Sequence, residues 1–317
     1  MKVYLLLFLL VFPSCLFAQT LVNREYITVH EFAENPLYHD VVDKDKRVTA
    51  SFSFINEVNI ERIHYLSDGL KVMGYIISPA QQHSDMKWPG IIYNRGGNNG
   101  IDREASSINL RSIIMAAFLS AKGYVVIMSN YRGGIGSEGK DEFGGEDLND
   151  VFNLLPILHG QAHVDNTRTG MYGLSRGTMM SLMSLKKGLP INCLVSIATV
   201  ADLVQLVEQR PELESKVIAK LVPDYATNKA QVLKERSAIY WPDELPEQTP
   251  IRFIHGDADK RAPYQNVLAL NDLLKDRVPV DLITFKGVTH AFNNRMLSVM
   301  IYTLEWFDRY LKETPQK

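Results

Sequence analysis

Ser175 stands in GMYGLSRGTMM (residues 170–180), two residues from a glycine on either side. A serine hydroxyl attacks a carbonyl only with a base beside it to take its proton and an acid to orient that base. Past Ser175 the chain holds two histidines, His255 in FIHGDADKRAP and His290 in GVTHAF, with Asp257 and Asp259 between them. Serine, carboxylate and imidazole together would perform acyl transfer, the cleavage of an ester or amide through a covalent acyl-serine. A Gly-x-Ser-x-Gly pattern arises by chance in roughly one chain in ten of this length, with Gly and Ser each near 7%. The elements around the serine therefore decide.

Those elements alternate. From about residue 60 onward, short apolar runs take turns with amphipathic ones. VMGYIIS (72–78), GIIYN (90–94), YVVIMSN (124–130), GMYGL (170–174), CLVSIAT (193–199), IRFIHG (251–256) and VDLITF (280–285) read as strands. YVVIMSN is apolar on consecutive positions, as in a strand buried on both faces. Between them, Leu110, Ile113, Ile114, Ala117, Phe118 and Ala121 keep helical spacing, with Gly123 placed to end the helix. Leu148, Val151, Leu154, Leu155 and Leu158 mark a second helix, 176–187 a third, and Leu297, Met300, Ile301, Leu304 and Leu311 a last one. The pattern predicts a mostly parallel sheet with helices on both faces. Ligands in such a sheet bind beyond the carboxyl ends of the strands. Residues 19–60 read as an N-terminal extension. Residues 201–245, largely helical between two strands, read as a small lid over the site.

Composition narrows the function classes. The 317 residues are 46% hydrophobic and carry a formal charge of −2, so there is no basic excess for nucleic acid. The first 18 residues, with Lys2, an apolar run from Val3 to Phe12 and small residues after it, read as a secretory signal peptide cleaved after Ala18. The run is short for a spanning helix, so export without stable membrane insertion is expected. A lipid anchor on Cys15 is the competing reading, and Phe12 stands against it where a Leu would be expected. Once the leader is gone, Cys193 remains alone and cannot form an internal disulfide. No Cys/His cluster has metal-ligand spacing, and the chemistry needs no cofactor.

Within this frame Ser175 sits at a strand-to-helix junction, the setting of a nucleophile elbow. Gly173 and Gly177 let the chain turn sharply there. The backbone N–H of Arg176 opens the helix and faces the space where an oxyanion would form. After such an elbow the acid and then the histidine follow in chain order. His290, just after the last strand, fits the base. His255 ends a strand ahead of any acid in its loop and reads as a structural side chain bonded to loop backbone. Two acids compete. Asp259 lies mid-loop before Pro263, which suits a helix start, and is favoured; Asp257, straight after Gly256, reads as bracing the turn. Arg132 in NYRGG either binds a substrate carboxylate or, the more common use, pairs with Glu138 or Asp141. Tyr131 either donates to the oxyanion or packs under its loop. Tyr240 and Trp241 either line an acyl pocket or cover the core. Met179, Met180 and Met183 read as core.

From about residue 60 to 312 the chain resembles the catalytic domain of the prolyl oligopeptidase family of serine peptidases. IHYLSDGLKVMGYIISP, NYRGGIGSEG, GGEDLNDV, VDNTRTGMYGLSRG, RSAIYW, HGDADKRAP and GVTHAF follow in that family's order and approximate spacing. The resemblance implies an α/β-hydrolase fold over 61–317, Ser175 as nucleophile, Asp259 as acid and His290 as base. It departs in two places. RGGNNG (95–100) stands where the family carries His-Gly-Gly-Pro, leaving Gly97 or Asn98 as the second oxyanion donor, and Thr178 replaces the elbow's last glycine. The chain has no room for the β-propeller of the family's large members. A peptidase of short peptides is the first expectation, a carboxylesterase the second, and a catalytically idle binding protein the third.

Overall fold

The computed structural model describes residues 21–81, 86–97 and 106–312. The expected signal peptide, Cys15 and Asn98 lie outside them. Nine strands form one sheet: β1 (Leu21–Ile27), β2 (Val58–Ser67), β3 (Leu70–Pro79), β4 (Trp88–Asn94), β5 (Val125–Ser129), β6 (Val164–Leu174), β7 (Cys193–Ile197), β8 (Ile251–Gly256) and β9 (Val280–Phe285). Their order across the sheet is β1-β2-β3-β5-β4-β6-β7-β8-β9. β1, β2, β3 and β5 pair antiparallel, and every pairing from β5 to β9 is parallel. The β2–β3 hairpin turns at Asp68 and Gly69, both at positive φ, as a two-residue primed turn requires.

Both faces of the sheet are covered. One apolar cluster lies against the helices Leu154–His159, Arg176–Lys186 and Tyr264–Leu274, the other against Ser106–Ala121 and Met296–Phe307. All of β5, β7 and β8 is therefore buried, and their side chains are mostly apolar on both faces for that reason. Gly123, at φ +84°, ends the helix Ser106–Ala121 as expected. The expected helix over 148–158 is two short ones, Leu148–Phe152 and Leu154–His159. Met179, Met180 and Met183 are core, and Cys193 is a buried free thiol. Among the described residues no helix is long and apolar enough to cross a membrane.

Two segments outside the alternating pattern find their places. Residues 21–27 add an edge strand to the sheet by pairing with β2. Residues 29–57 continue as short helical turns over the face that carries Ser106–Ala121, with Val29, Phe32, Val41 and Ile55 buried there. The segment 201–245 is helical, from Leu203–Gln209 to Pro242–Glu244.

The topology also fixes where a ligand can go. The chain crosses from β4 to β5 on one side, then returns to lay β6 on the other side of β4. The crossovers leave in opposite directions at β4 and β6, which opens a crevice beyond their carboxyl ends. Ser175 directly follows β6, and Arg95–Gly97 directly follow β4.

Candidate active site

Ser175 has φ 53° and ψ −121°, a conformation costly for any residue with a Cβ, on the order of 1–3 kcal/mol. The surroundings hold it there. Its N–H donates to the Ile197 carbonyl (2.8 Å), and its carbonyl accepts from Thr178 N–H (2.8 Å) and Thr178 Oγ1 (2.6 Å). The Thr178 hydroxyl in turn accepts from Val200 N–H (2.9 Å), tying the elbow to the loop after β7. The threonine that departs from the family's glycine is thus a lock on the turn. Gly177 packs its Cα against β4 so closely that a Cβ would overlap the Asn94 carbonyl, and a Cβ on Gly173 would come 2.8 Å from the Gly177 oxygen. Because the obstacle is backbone, Gly177→Ala is expected to cost about 2–3 kcal/mol. Thermal denaturation should show that as a fall in Tm on the order of 5–10 °C.

Three loops bring the predicted residues together. His290 Nε2 lies 2.9 Å from Ser175 Oγ, and His290 Nδ1 lies 2.7 Å from Asp259 Oδ2. Asp259 is buried, and its other oxygen accepts from Arg261 N–H (2.8 Å) and Ala262 N–H (2.9 Å). Burial alone would raise its pKa. Hydrogen bonds from His255 and His290 and the Ala262 N–H outweigh that and hold the carboxyl well below the usual carboxylate range. An ionised carboxylate accepts the Nδ1 hydrogen and leaves the Nε2 lone pair for the serine hydroxyl.

The competing residues are elsewhere. His255 is fully buried, accepts from Thr199 N–H at Nδ1 (3.1 Å) and donates from Nε2 to the Ala262 carbonyl (2.8 Å). It holds the acid loop against the loop after β7 and stands 3.4 Å from Asp259 Oδ2. Asp257 accepts from Gly287 N–H (2.6 Å), so it braces the turn that leads to His290.

On the oxyanion side, Arg176 is the first residue of the helix Arg176–Lys186, whose opening N–H groups have no intrahelical acceptor. Gly96 and Gly97 line the cavity beside it, Gly97 at φ +81°. The Gly97 carbonyl accepts from the Arg176 guanidinium (3.3 Å). That guanidinium, which nothing in the motif announces, is buried between Asp141 and Asp147 at 2.6 Å from each. It also stacks 4.5 Å from the centre of the Phe143 ring. Arg95, in place of the family's histidine, is buried too. It donates to the Gly96 and Asn130 carbonyls, lies over the Tyr131 ring, and burial pushes its pKa down to about 10.

Of the paired alternatives, the substrate-side readings of Arg132, Tyr131, Trp241 and Tyr240 need correction. Arg132 does not reach the cavity. It is 3% exposed and held by Asp150 (2.8 Å) and Asp68 (2.7 Å), because its guanidinium points back beneath the β2–β3 turn. Its expected partner Asp141 serves Arg176, and Glu138 caps β3 by accepting from Lys71 N–H (2.8 Å). Tyr131 is fully buried, sandwiched with Arg95 and Arg176 under the loop, with its hydroxyl 3.4 Å from the Arg95 carbonyl, so it offers nothing to an oxyanion. Trp241 is buried in the core, with Nε1 donating to the Lys234 carbonyl, and Tyr240 is exposed outside the cavity.

The cavity itself measures about 770 Å³, and Ser175 and His290 line it. The sheet side of its lining includes Tyr93, Met115, Tyr172 and Leu174, with Met296 and Val299, and the N-terminal turns add Pro36 and Leu37. The 201–245 segment supplies Leu206, Arg210, Leu213 and Val217, and the acid loop Arg261.

Residues 111–314 match the model of the prolyl oligopeptidase family. An uncharacterized peptidase YtmA of Bacillus subtilis (strain 168) is 28% identical over 237 residues, 74% of this chain and 87% of that protein. Dipeptidyl-peptidase 5 of Porphyromonas endodontalis is 24% identical over 260 residues, but those are 78% of this chain and 37% of the relative. Among solved structures, an acylaminoacyl peptidase of Pyrococcus horikoshii superposes with a TM-score of 0.64 at 20% identity. The superposition covers 82% of this chain and 43% of that one, a likeness of fold.

Proposed function

This chain belongs to the prolyl oligopeptidase family of serine peptidases, and from that premise we propose that it hydrolyses short peptides through an acyl-enzyme on Ser175. The observation that carries the reading is the unbroken chain of hydrogen bonds from Ser175 Oγ through His290 to Asp259, with Ser175 and His290 on the cavity wall. Ser175 Oγ attacks the scissile carbonyl as His290 Nε2 takes its proton, and Asp259 stabilises the imidazolium that results. The carbonyl oxygen, now an anion, is received by the backbone N–H of Arg176 and that of Gly97. One such donor is typically worth 10²- to 10³-fold in turnover. His290 then protonates the leaving nitrogen, and a water repeats the sequence to release the acid. The cavity volume is that of a site for a ligand of a few residues, which favours short peptides.

A fluorophosphonate probe tests the nucleophile directly. It is expected to add a single label, located at Ser175 by peptide mapping; an unlabelled Ser175 peptide would leave the reading without its nucleophile. Esters present the same carbonyl to the same constellation. Aminoacyl amides should therefore be run beside short-chain aryl esters on one preparation. Cleavage of the amides supports the peptidase, and hydrolysis confined to the esters would replace it with a carboxylesterase.

A further inference from the structure

Two arginines in the cavity wall have no ion-pair partner among the described residues. Arg210 joins the helix Leu203–Gln209 to the next turn of the 201–245 segment, and Arg261 lies in the acid loop opposite. Neither forms an ion pair with a carboxylate among the described residues. Arg210 donates one N–H to the Arg261 backbone carbonyl (3.1 Å), which occupies one of the five donors of a guanidinium. The Arg261 side chain has no hydrogen-bond partner there. The nearby acids have other neighbours. Both oxygens of Asp259 are filled by His290 and by backbone N–H groups. Glu212, on the same wall, faces Lys216 at 3.4 Å. Burial and the neighbouring Arg261 charge both push the Arg210 pKa down, against a smaller opposing pull from Asp259. Arg210 is half-buried and Arg261 exposed, and like charges brought together gain when an anion settles between them.

Resting on the peptidase reading above, we propose that Arg210 and Arg261 form a carboxylate subsite and that preferred substrates carry a carboxylate within a residue or two of the scissile bond. Arg261 lies in the loop whose Asp259 orients His290, and it lines the same cavity as Ser175 and His290. Guanidinium groups bind carboxylates through paired, charge-assisted hydrogen bonds. The carboxylate can come from an acidic side chain or from the free C-terminus of a short peptide, and the two sources are separable.

The test uses matched substrates on the full chain. One pair is acetyl-Ala-Glu-Ala-p-nitroanilide against its Gln counterpart. The other is tetra-alanine with a free against an amidated C-terminus, followed by mass spectrometry. In one of the two pairs the carboxylate member is expected to win by about 10- to 100-fold in kcat/KM, the range of one charge-assisted contact. Arg210→Gln and Arg261→Gln should each shrink that ratio, and the double variant should bring it to within about threefold of unity on the same scale. Equal rates within both pairs in a wild-type protein that fluorophosphonate labels at Ser175 would overturn the subsite and leave the peptidase reading standing. So would a ratio that survives in the double variant. A wild-type protein that takes no label overturns both.

Discussion

Ser175→Ala is expected to lower turnover on the best amide or ester by about 10⁴- to 10⁶-fold, the usual span for loss of a triad nucleophile. Folding should be nearly untouched. The positive φ is held by the Ser175 N–H bond to the Ile197 carbonyl and by the bonds that the Ser175 carbonyl accepts from Thr178, and alanine keeps the same backbone and Cβ. Only the bond to His290 Nε2 is lost. Circular dichroism and Tm should match wild type while the rate collapses. Activity within tenfold of wild type would mean that the hydroxyl at the elbow is not the attacking group.

Asp259→Asn should be nearly as damaging, on the order of 10⁴-fold in turnover, and the geometry says why. One carboxylate oxygen accepts two backbone N–H groups, from Arg261 and Ala262, and the other accepts from His290 Nδ1. An amide has a single acceptor oxygen. Turned to satisfy the two backbone donors, it presents NH₂ to His290 Nδ1 and drives the hydrogen onto Nε2, where it blocks deprotonation of Ser175. Turned the other way, it sets NH₂ against two N–H groups in a buried loop. Asp257→Asn is the control. Its one bond to Gly287 N–H can be made by an amide oxygen, so only a few-fold loss is expected. Should Asp257→Asn be the silent enzyme, the acid has been misassigned.

The same substitution has a signature in stability against pH. The folded pKa of Asp259 lies below its ordinary value of 3.8. The carboxylate therefore contributes stability above pH 3.8 that disappears as the pH falls through the depressed folded value. Asp259→Asn should lose that increment at neutral pH and flatten the acid side of a Tm–pH curve. An unchanged acid limb would argue that the carboxylate is not held ionised.

The strands, the elbow and the order of serine, acid and base were legible because they are local. A buried parallel strand shows as a continuous apolar run, and a sharp strand-to-helix turn needs Gly173 and Gly177 within a few residues of Ser175. Charge pairing was not legible, since partners are chosen by distance in space. Arg132 has Asp141 and Glu138 close by in sequence, yet it binds Asp150 and Asp68, while Asp141 is taken by Arg176, 35 residues on. No periodicity records that choice, which depends on which acids the crossovers bury beside which guanidinium. Thr178 looked like a lost glycine, and only the approach of Val200 gives its hydroxyl a second bond.

By itself, then, the sequence determined a doubly covered, mostly parallel sheet and a serine, acid and base in acyl-transfer order, because pattern and turn chemistry act over a few residues. Only the tertiary structure decided that residues 21–27 pair as an edge strand, that Pro36 and Leu37 join the cavity wall, and that Arg210 donates to the Arg261 carbonyl. Those outcomes depend on which distant segments meet at the carboxyl edge of the sheet, and a linear pattern holds no term for that meeting.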